Sequence, residues 1–241
     1  MINIIAITVL LTTQIINAKV PLYAIYTPSH EIMLRNYFLP SLKDNFDLHL
    51  YQNEQTCRST AFKDVGWKDT TKQKVKMIID AIKQQWNGIF IYSDVDIQFF
   101  TPVSAEIKEL LTAYDLVIQK DDPTGSICSG FFACRCNEKT LQLWQDVLNT
   151  MENKQEYSDQ AALNHCLISC KNPYELAWTY LPDTYFGGGP FSGKRWNPYN
   201  SMVIPNNPKM HHANWTVGVN NKIAQLNYVK YLLRKRKLKK D

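Results

Sequence analysis

The sequence predicts an α/β domain, a mixed and mostly parallel sheet flanked by helices. Three observations predict it. Apolar runs of strand length alternate with segments whose apolar residues recur at helical spacing. The run Ile89-Phe90-Ile91-Tyr92 has no polar residue inside it, the pattern of a strand covered on both faces. It ends in Ser93-Asp94-Val95-Asp96, which puts two acids at the C-terminal end of a buried strand, where open α/β sheets bind ligands. In an extended chain residues two apart point the same way, so Asp94 and Asp96 can converge on one cation. Two hard carboxylates suit Mg²⁺ or Mn²⁺, with a diphosphate completing the coordination.

The elements follow in order. Ile2–Ile16 is uncharged and mostly apolar, and Ile16-Asn17-Ala18 resembles a signal-peptide cleavage site. No Lys or Arg precedes the run, and Thr12, Thr13, Gln14 and Asn17 interrupt it. Residues 1–18 therefore read first as a signal peptide, second as an anchor and third as a cytosolic strand. Val20–Thr27 is the first expected strand; Tyr26 and Thr27, at its end, are either candidates for contact with a nucleotide base or plain strand-end residues. Glu31–Leu42 is helical by the spacing of Met33, Leu34, Tyr37, Phe38 and Leu42, and Phe46–Tyr51 is a second strand. Thr70–Trp86 is an amphipathic helix with Val75, Ile78, Ile79, Ile82 and Trp86 on its buried face, stopped by Asn87-Gly88. After the Asp94–Asp96 pair, Thr101 caps a short helix with Pro102 in its first turn. Asp115–Gln119 is a short buried strand.

Ser129–Arg135 is the next strand, and Gly130 in it either lets backbone approach a ligand or eases a bend. Asn137 caps a helix whose Leu141, Trp144, Leu148 and Met151 share a face. Ser158 caps another, with Asp159 and Gln160 in its first turn, where an acid also favours the positive helix end. Glu175–Leu181 is a strand. Asp183–Asn197 contains four of the nine glycines together with Lys194 and Arg195, and can cradle phosphate. It is not a P-loop, because Arg195 stands where Ser or Thr belongs. Lys209–Lys222 carries His211, His212 and Lys222, and Ile223–Arg236 is the last helix. Residues 19–229 make one domain, and 230–241 make a basic tail.

Charge locates a difference that the total hides. The formal net charge is +5, from 27 basic and 22 acidic residues. Seven of the bases and one acid fall in the last twelve residues, leaving twenty bases against 21 acids elsewhere. The body is near neutral, and composition gives no reason to expect a nucleic-acid binder. The tail is either a solvated helix end or a weak contact for an anionic membrane. Six cysteines, Cys57, Cys128, Cys134, Cys136, Cys166 and Cys170, fit an exported chain with disulfides, whose pairing the sequence leaves open. Their spacing does not suit zinc.

Four stretches in order, SDVDIQFFTP from Ser93, SGFFACR from Ser129, SDQAALN from Ser158 and HANWTVGVNNK from His212, resemble the nucleotide-diphospho-sugar transferase domains, retaining glycosyltransferases of the GT-A fold. LPDTYFGGG from Leu181 precedes the last stretch. That stretch is similar to the His-x-x-Gly-x-x-Lys element of glycogenin-like transferases, with longer spacing here. The resemblance covers about residues 20–230. It implies a GT-A, Rossmann-like fold and a nucleotide-sugar donor, with UDP the expected nucleotide. The implied metal ligands are Asp94, Asp96 and His212, with Asp96 the stronger and Asp94 shared with the donor. Lys222 and Lys194 would hold the diphosphate, and Lys74 would sit near the nucleotide, with Lys72 its rival. Asp159 and Gln160 would lie at the reacting centre, and Asp122 would bind sugar hydroxyls.

The chemistry agrees. Breaking a sugar–phosphate bond builds negative charge on the diphosphate, which a divalent cation and a lysine stabilise without proton transfer. The sugar carbon becomes oxocarbenium-like, within reach of carboxylate and amide oxygens. The expected activity is metal-dependent transfer of a hexosyl or pentosyl group to a glycan, protein or lipid acceptor, in the secretory pathway or outside the cell. A non-catalytic sugar-nucleotide or glycan-binding module is the alternative. A metal-dependent phosphatase or nuclease would want more acids near Asp94. One sequence feature conflicts with the site: Asn214-Trp215-Thr216 is an N-glycosylation sequon inside it, so the site requires Asn214 to be enclosed.

Overall fold

The structure, a computed structural model, describes residues 19–56, 66–154, 157–188, 196 and 202–238. Residues 1–18, Cys57, Lys194, the loop 189–195 and the last three residues of the tail lie outside that set. The chain forms β1 (Pro21–Tyr26), a helical stretch α1 (28–41), β2 (Asp47–Gln52), α2 (Trp67–Gln84), β3 (Ile89–Ser93) and β4 (Ile97–Phe99). There follow α3 (Ser104–Ala113), β5 (Leu116–Lys120), β6 (Ile127–Arg135), α4 (Glu138–Asn153) and α5 (Asp159–Asn164), which runs on through a π turn at His165–Ser169. The rest is β7 (Trp178–Tyr180), β8 (Tyr185–Gly187), β9 (Met210–His212) and α6 (Val219–Lys237).

Six strands make the main sheet in the order β2-β1-β3-β6-β5-β7. The β1–β2, β1–β3 and β5–β7 pairs are parallel, and β6 runs against both neighbours. Its inner strands bury both faces by alternation. Phe90, Tyr92, Leu116, Ile118, Phe132 and Cys134 pack towards α2 and α4, against Val75, Ile78, Ile82 and Trp144. Ile91, Val117, Phe131 and Ala133 pack on the other side against Leu34, Phe38, Ile107 and Leu111. This explains the uninterrupted apolar run in β3, which has no solvent face to give polar residues a place.

A second sheet of three strands, β4-β9-β8, lies beyond the end of β3. Its β4–β9 pair is antiparallel with Ile97 opposite His212, and β8–β9 is parallel with Gly187 opposite His212. β8 falls where a glycine-rich loop was expected.

Other differences have local causes. The Asp94–Asp96 pair sits in a turn between β3 and β4, not in extended chain. Thr101 does not cap α3: the N-cap is Val103, and Asp44, from the loop before β2, accepts from the Val103 and Ser104 amides at 2.7 and 3.4 Å. A carboxylate at a helix N-terminus does the same work from a distant segment. Trp86 is 45% exposed, because α2 ends at Gln84, before it. The buried face of α4 is Thr140, Leu143, Trp144, Val147 and Met151, turned from the expected one, while the Asn137 cap and its box with Thr140 are as read. The strand expected over Glu175–Leu181 shortens to β7. The five described cysteines, Cys128, Cys134, Cys136, Cys166 and Cys170, are all free, so the expected disulfides are not found among the described residues.

Candidate active site

The ends of β3 and β5, the starts of β6 and α5 and the β4–β9 pair meet at one edge of the main sheet. Asp94 continues the β3 ladder, its amide donating to the Gly130 carbonyl at 2.7 Å. Asp96 is 4% exposed at the start of β4. The register that sets Ile97 against His212, with the Ala213 amide donating to the Asp96 carbonyl at 2.9 Å, brings His212 beside it. One ligand atom from each of Asp94, Asp96 and His212 lies within 4.8 Å of the others.

The donor set fits a divalent cation. Gln119 Nε2 donates to the Tyr185 carbonyl at 3.2 Å, which leaves Gln119 Oε1 to accept from His212 Nδ1 at 2.9 Å. With its proton on Nδ1, His212 turns the Nε2 lone pair towards Asp96 Oδ1 at 3.3 Å and Asp94 Oδ2 at 4.0 Å. Three electron-pair donors face one another, an arrangement that a shared cation satisfies, and two carboxylates with one imidazole suit Mn²⁺ or Mg²⁺. Burial by itself would raise the Asp96 carboxyl, but the Lys222 ammonium against it holds the group well below the usual carboxylate range. Lys222, in the first turn of α6, places Nζ against Asp96 Oδ2.

Close packing at Gly130 makes room for the cluster. A Cβ there would stand 2.3 Å from His212 Cε1 and 2.7 Å from Asp94 Oδ2. The β5–β6 register shifts between Ile118, opposite Phe132, and Gln119, opposite Cys128. Ser129, Gly130 and Phe131 thereby lose their partners on β5 while Phe131 stays paired with Ser93 of β3, a bulge beside the site.

A second network lies on the α2 side. Lys74, 6% exposed, reaches Asp159 Oδ2 at 2.9 Å and Asp94 Oδ1 at 3.3 Å, and its Nζ stands 4.7 Å from the Tyr92 ring centroid. Burial lowers the Lys74 ammonium, and Asp159 and Asp94 more than reverse that, so its pKa is raised. Tyr92 Oη donates to Asp94 Oδ1 at 2.5 Å, and Ser129 Oγ donates to Asp159 Oδ2 at 2.8 Å. Lys72 is half-buried on α2 and enters none of these contacts.

Gln160 accepts from the Ser129 amide at 3.3 Å and donates to Asp121 Oδ2 at 2.8 Å. Asp121 is 7% exposed and also takes Asn214 Nδ2 and Trp215 Nε1 on Oδ1, each at 3.2 Å. Burial raises its carboxyl, and the bonds from Trp215 and Gln160 only partly offset this. Asp122, the expected sugar ligand, instead accepts from Thr124 and Ser126 in its own turn. Trp215 holds φ at 56°, a left-handed conformation unusual for a bulky residue, with its indole N–H fixed on Asp121. Asn214 is 8% exposed and its Oδ1 accepts from the Gly188 amide at 2.7 Å, so the sequon asparagine is enclosed. A Cβ on Gly187 would stand 2.3 Å from that oxygen. These two glycines therefore cradle Asn214, while the remainder of the glycine loop lies outside the described residues.

Thr27 and His30 stand at the end of β1, with Thr27 Oγ1 3.0 Å from His30 Nδ1, and the Tyr26 ring packs on the adjacent core. Burial lowers the His30 imidazole, and Lys222 adds to this, which places His30 on the metal side of the site. His211 points away from the cluster, packed on Phe186 at 4.9 Å and fully buried. Asp121, Ser129, Gln119 and His30 are site residues the sequence reading missed. Only Gln119 carried a visible signal, a lone amide in an otherwise apolar strand.

Comparison with known proteins agrees with this geometry. The family model described as nucleotide-diphospho-sugar transferase matches residues 37–226. The UDP-galactose:fucoside alpha-3-galactosyltransferase of Dictyostelium discoideum is 26% identical over 96 residues, 37% of this chain and 14% of that protein. The matched stretch thus spans a small part of that relative's length. The structure is similar to the glycosyltransferase GlyE of Streptococcus pneumoniae, with TM-score 0.51, 14% identity and coverage of 87% of this chain and 60% of that one. It is also similar to the bifunctional glycosyltransferase WbbM, with TM-score 0.53, 10% identity and coverage of 82% and 46%. These structural likenesses show the fold, which is of the GT-A type. With its family model matched from the end of α1 to the first half of α6, the chain belongs to the nucleotide-diphospho-sugar transferase family.

Proposed function

We propose that the protein transfers a glycosyl group from a UDP-sugar to an acceptor hydroxyl, with retention of anomeric configuration and dependence on Mn²⁺ or Mg²⁺. The observation that carries this is the convergence of Asp94, Asp96 and His212 at the C-terminal edge of the sheet. The name of the Dictyostelium relative supports UDP as the nucleotide and makes UDP-galactose the first donor to assay.

Asp94, Asp96 and His212 would hold the cation, which when bound supplies Lewis-acid neutralisation of the leaving diphosphate. Lys222, already at Asp96, is placed to add a second positive charge there. Thr27 and Tyr26, at the end of β1, would receive the nucleotide base. As the C1–oxygen bond to the diphosphate breaks, the electron pair stays on the diphosphate. The acceptor oxygen then bonds to C1, and its proton passes to the departing oxygen. Asp159 is committed to Lys74 and Ser129 through one oxygen, which suits it to fixing Lys74 beside the site. Gln160, held by Ser129 and Asp121, presents an amide beside the same region.

Donor hydrolysis tests the reading. The parent should cleave UDP-galactose or another UDP-sugar only with a divalent cation, and Asp96→Ala should be inactive with the fold kept. A variant as fast as the parent would refute the site.

A further inference from the structure

The far end of α6 combines charge and exposed apolar surface in one place. Lys230, Arg234, Lys235 and Lys237 lie along it. Among the described residues none of these four is paired with an acid. Arg236 turns the other way, its guanidinium donating to the carbonyls of Ile204 at 2.6 Å and Pro205 at 2.8 Å. That clamp ties the 204–205 segment to the side of the helix away from these bases.

Val203, Leu238 and Tyr231 are 63%, 78% and 56% exposed, the three most exposed large apolar side chains among the described residues. Tyr231 and Leu238 are two helical turns apart and so share a stripe, with Arg234 and Lys235 between them. The Lys235 ammonium stands 6.0 Å from the Tyr231 ring. The core-facing residues, Leu226 and Val229, are on the other side of the helix. Lys239 and Lys240 continue the charge in the sequence.

A solvated helix end needs the charges but not the apolar residues, and a nucleic acid would use the charges and leave Tyr231 and Leu238 in water. An anionic lipid interface takes both, bases at the headgroups and apolar side chains beneath them. No described helix is long and apolar enough to cross a membrane. We propose that the C-terminal end of α6, with Tyr231 and Leu238 exposed between its bases, is a docking surface for an anionic lipid bilayer. The surface shares one helix with Lys222, about 24 Å away at 1.5 Å per residue, so docking would hold the active site at a fixed height. This inference does not rest on sugar transfer.

The test is sedimentation of the full chain with vesicles of phosphatidylcholine alone and with 30% phosphatidylserine. The protein should partition to the serine-containing vesicles and be released by salt. Arg234→Gln with Lys235→Gln and Lys237→Gln should lower that partition on the order of a hundred-fold, at the usual strength per base near an anionic surface. Tyr231→Ser with Leu238→Ser should lower it roughly five-fold or more with the charge unchanged. Equal partition to both vesicle types would overturn the proposal, since it would owe nothing to the bases. Loss on neutralising the bases with no effect of the two serines would also overturn it, in favour of a purely electrostatic contact with a soluble polyanion.

Discussion

Gly130→Ala is the sharpest structural test of the active site. The added methyl would lie 2.3 Å from His212 Cε1, 2.7 Å from Asp94 Oδ2 and 3.0 Å from His212 Nε2. Ordinary carbon contacts begin near 3.5 Å, so the imidazole or the carboxylate must retreat by about 1 Å. Neither is free to do so. His212 is pinned by Gln119 at 2.9 Å and crowded by Cys128 Sγ at 3.6 Å, and Asp94 by Tyr92 at 2.5 Å. A 1 Å misplacement of this kind lowers catalysis about 100-fold. Overpacking should cost about 1–3 kcal/mol of stability. The assay is metal-dependent hydrolysis of the donor, paired with urea unfolding and with Mn²⁺ binding by electron paramagnetic resonance. The account expects weakened Mn²⁺ binding and a roughly 100-fold slower enzyme that still unfolds cooperatively. Turnover and Mn²⁺ affinity equal to the parent's would show that the cluster does not depend on this close approach.

Three further outcomes follow from particular contacts. Lys74→Met leaves Asp159 buried without its cation and should destabilise the protein by about 3–5 kcal/mol in urea unfolding; a loss below 1 kcal/mol would mean that Asp159 finds water or another donor. Asp121→Asn replaces an acceptor-only group on which three N–H donors converge, so the Gln160 amide loses its anchor. We expect kcat to fall about 10-fold or more with KM for the donor little changed, and unchanged kcat would separate Asp121 from the reacting centre. Burial, with His212 adding to it, pushes the His211 imidazole down to about 3. The unfolded chain then binds the proton between that value and the ordinary 6.5 while the folded chain does not. Stability is full above about 6.5 and falls with acidification, by on the order of 4 kcal/mol at pH 3 from this group. His211→Phe should flatten that part of the melting temperature against pH, and an unaltered slope would assign the acid limb to other groups.

The strands of the main sheet and the helices around them were legible because both faces of the inner sheet are buried and the helices are amphipathic, whereas the short strands of the second sheet were not. Where the reading slipped, the cause was non-local. Thr101 has the chemistry of a cap, yet Asp44 reaches α3 first. The face of α4 is set by what α2 and β6 offer, and Leu143 and Val147 fit it better than Leu141 and Leu148. The Asp94–Asp96 pair was visible from spacing, but for a reason that does not hold, since the two acids converge across a turn and not along a strand. His212 could be named only by resemblance, because the β4–β9 register that brings it to Asp96 joins residues more than a hundred positions apart. Asp121 and Asp122 are indistinguishable in sequence. Only the turn closed by Thr124 and Ser126 decides that Asp122 faces its own loop while Asp121 faces Gln160 and Trp215.

The central claim is that Asp94, Asp96 and His212 hold a divalent cation for nucleotide-sugar cleavage. Hydrolysis of a panel of UDP- and GDP-sugars by the full chain, with Mn²⁺, with chelator and with the Asp96→Ala variant alongside, tests it most directly. The account predicts turnover of at least one UDP-sugar that disappears with chelator and with Asp96→Ala. Turnover that survives both, or a parent protein that cleaves no donor in the panel, would contradict it.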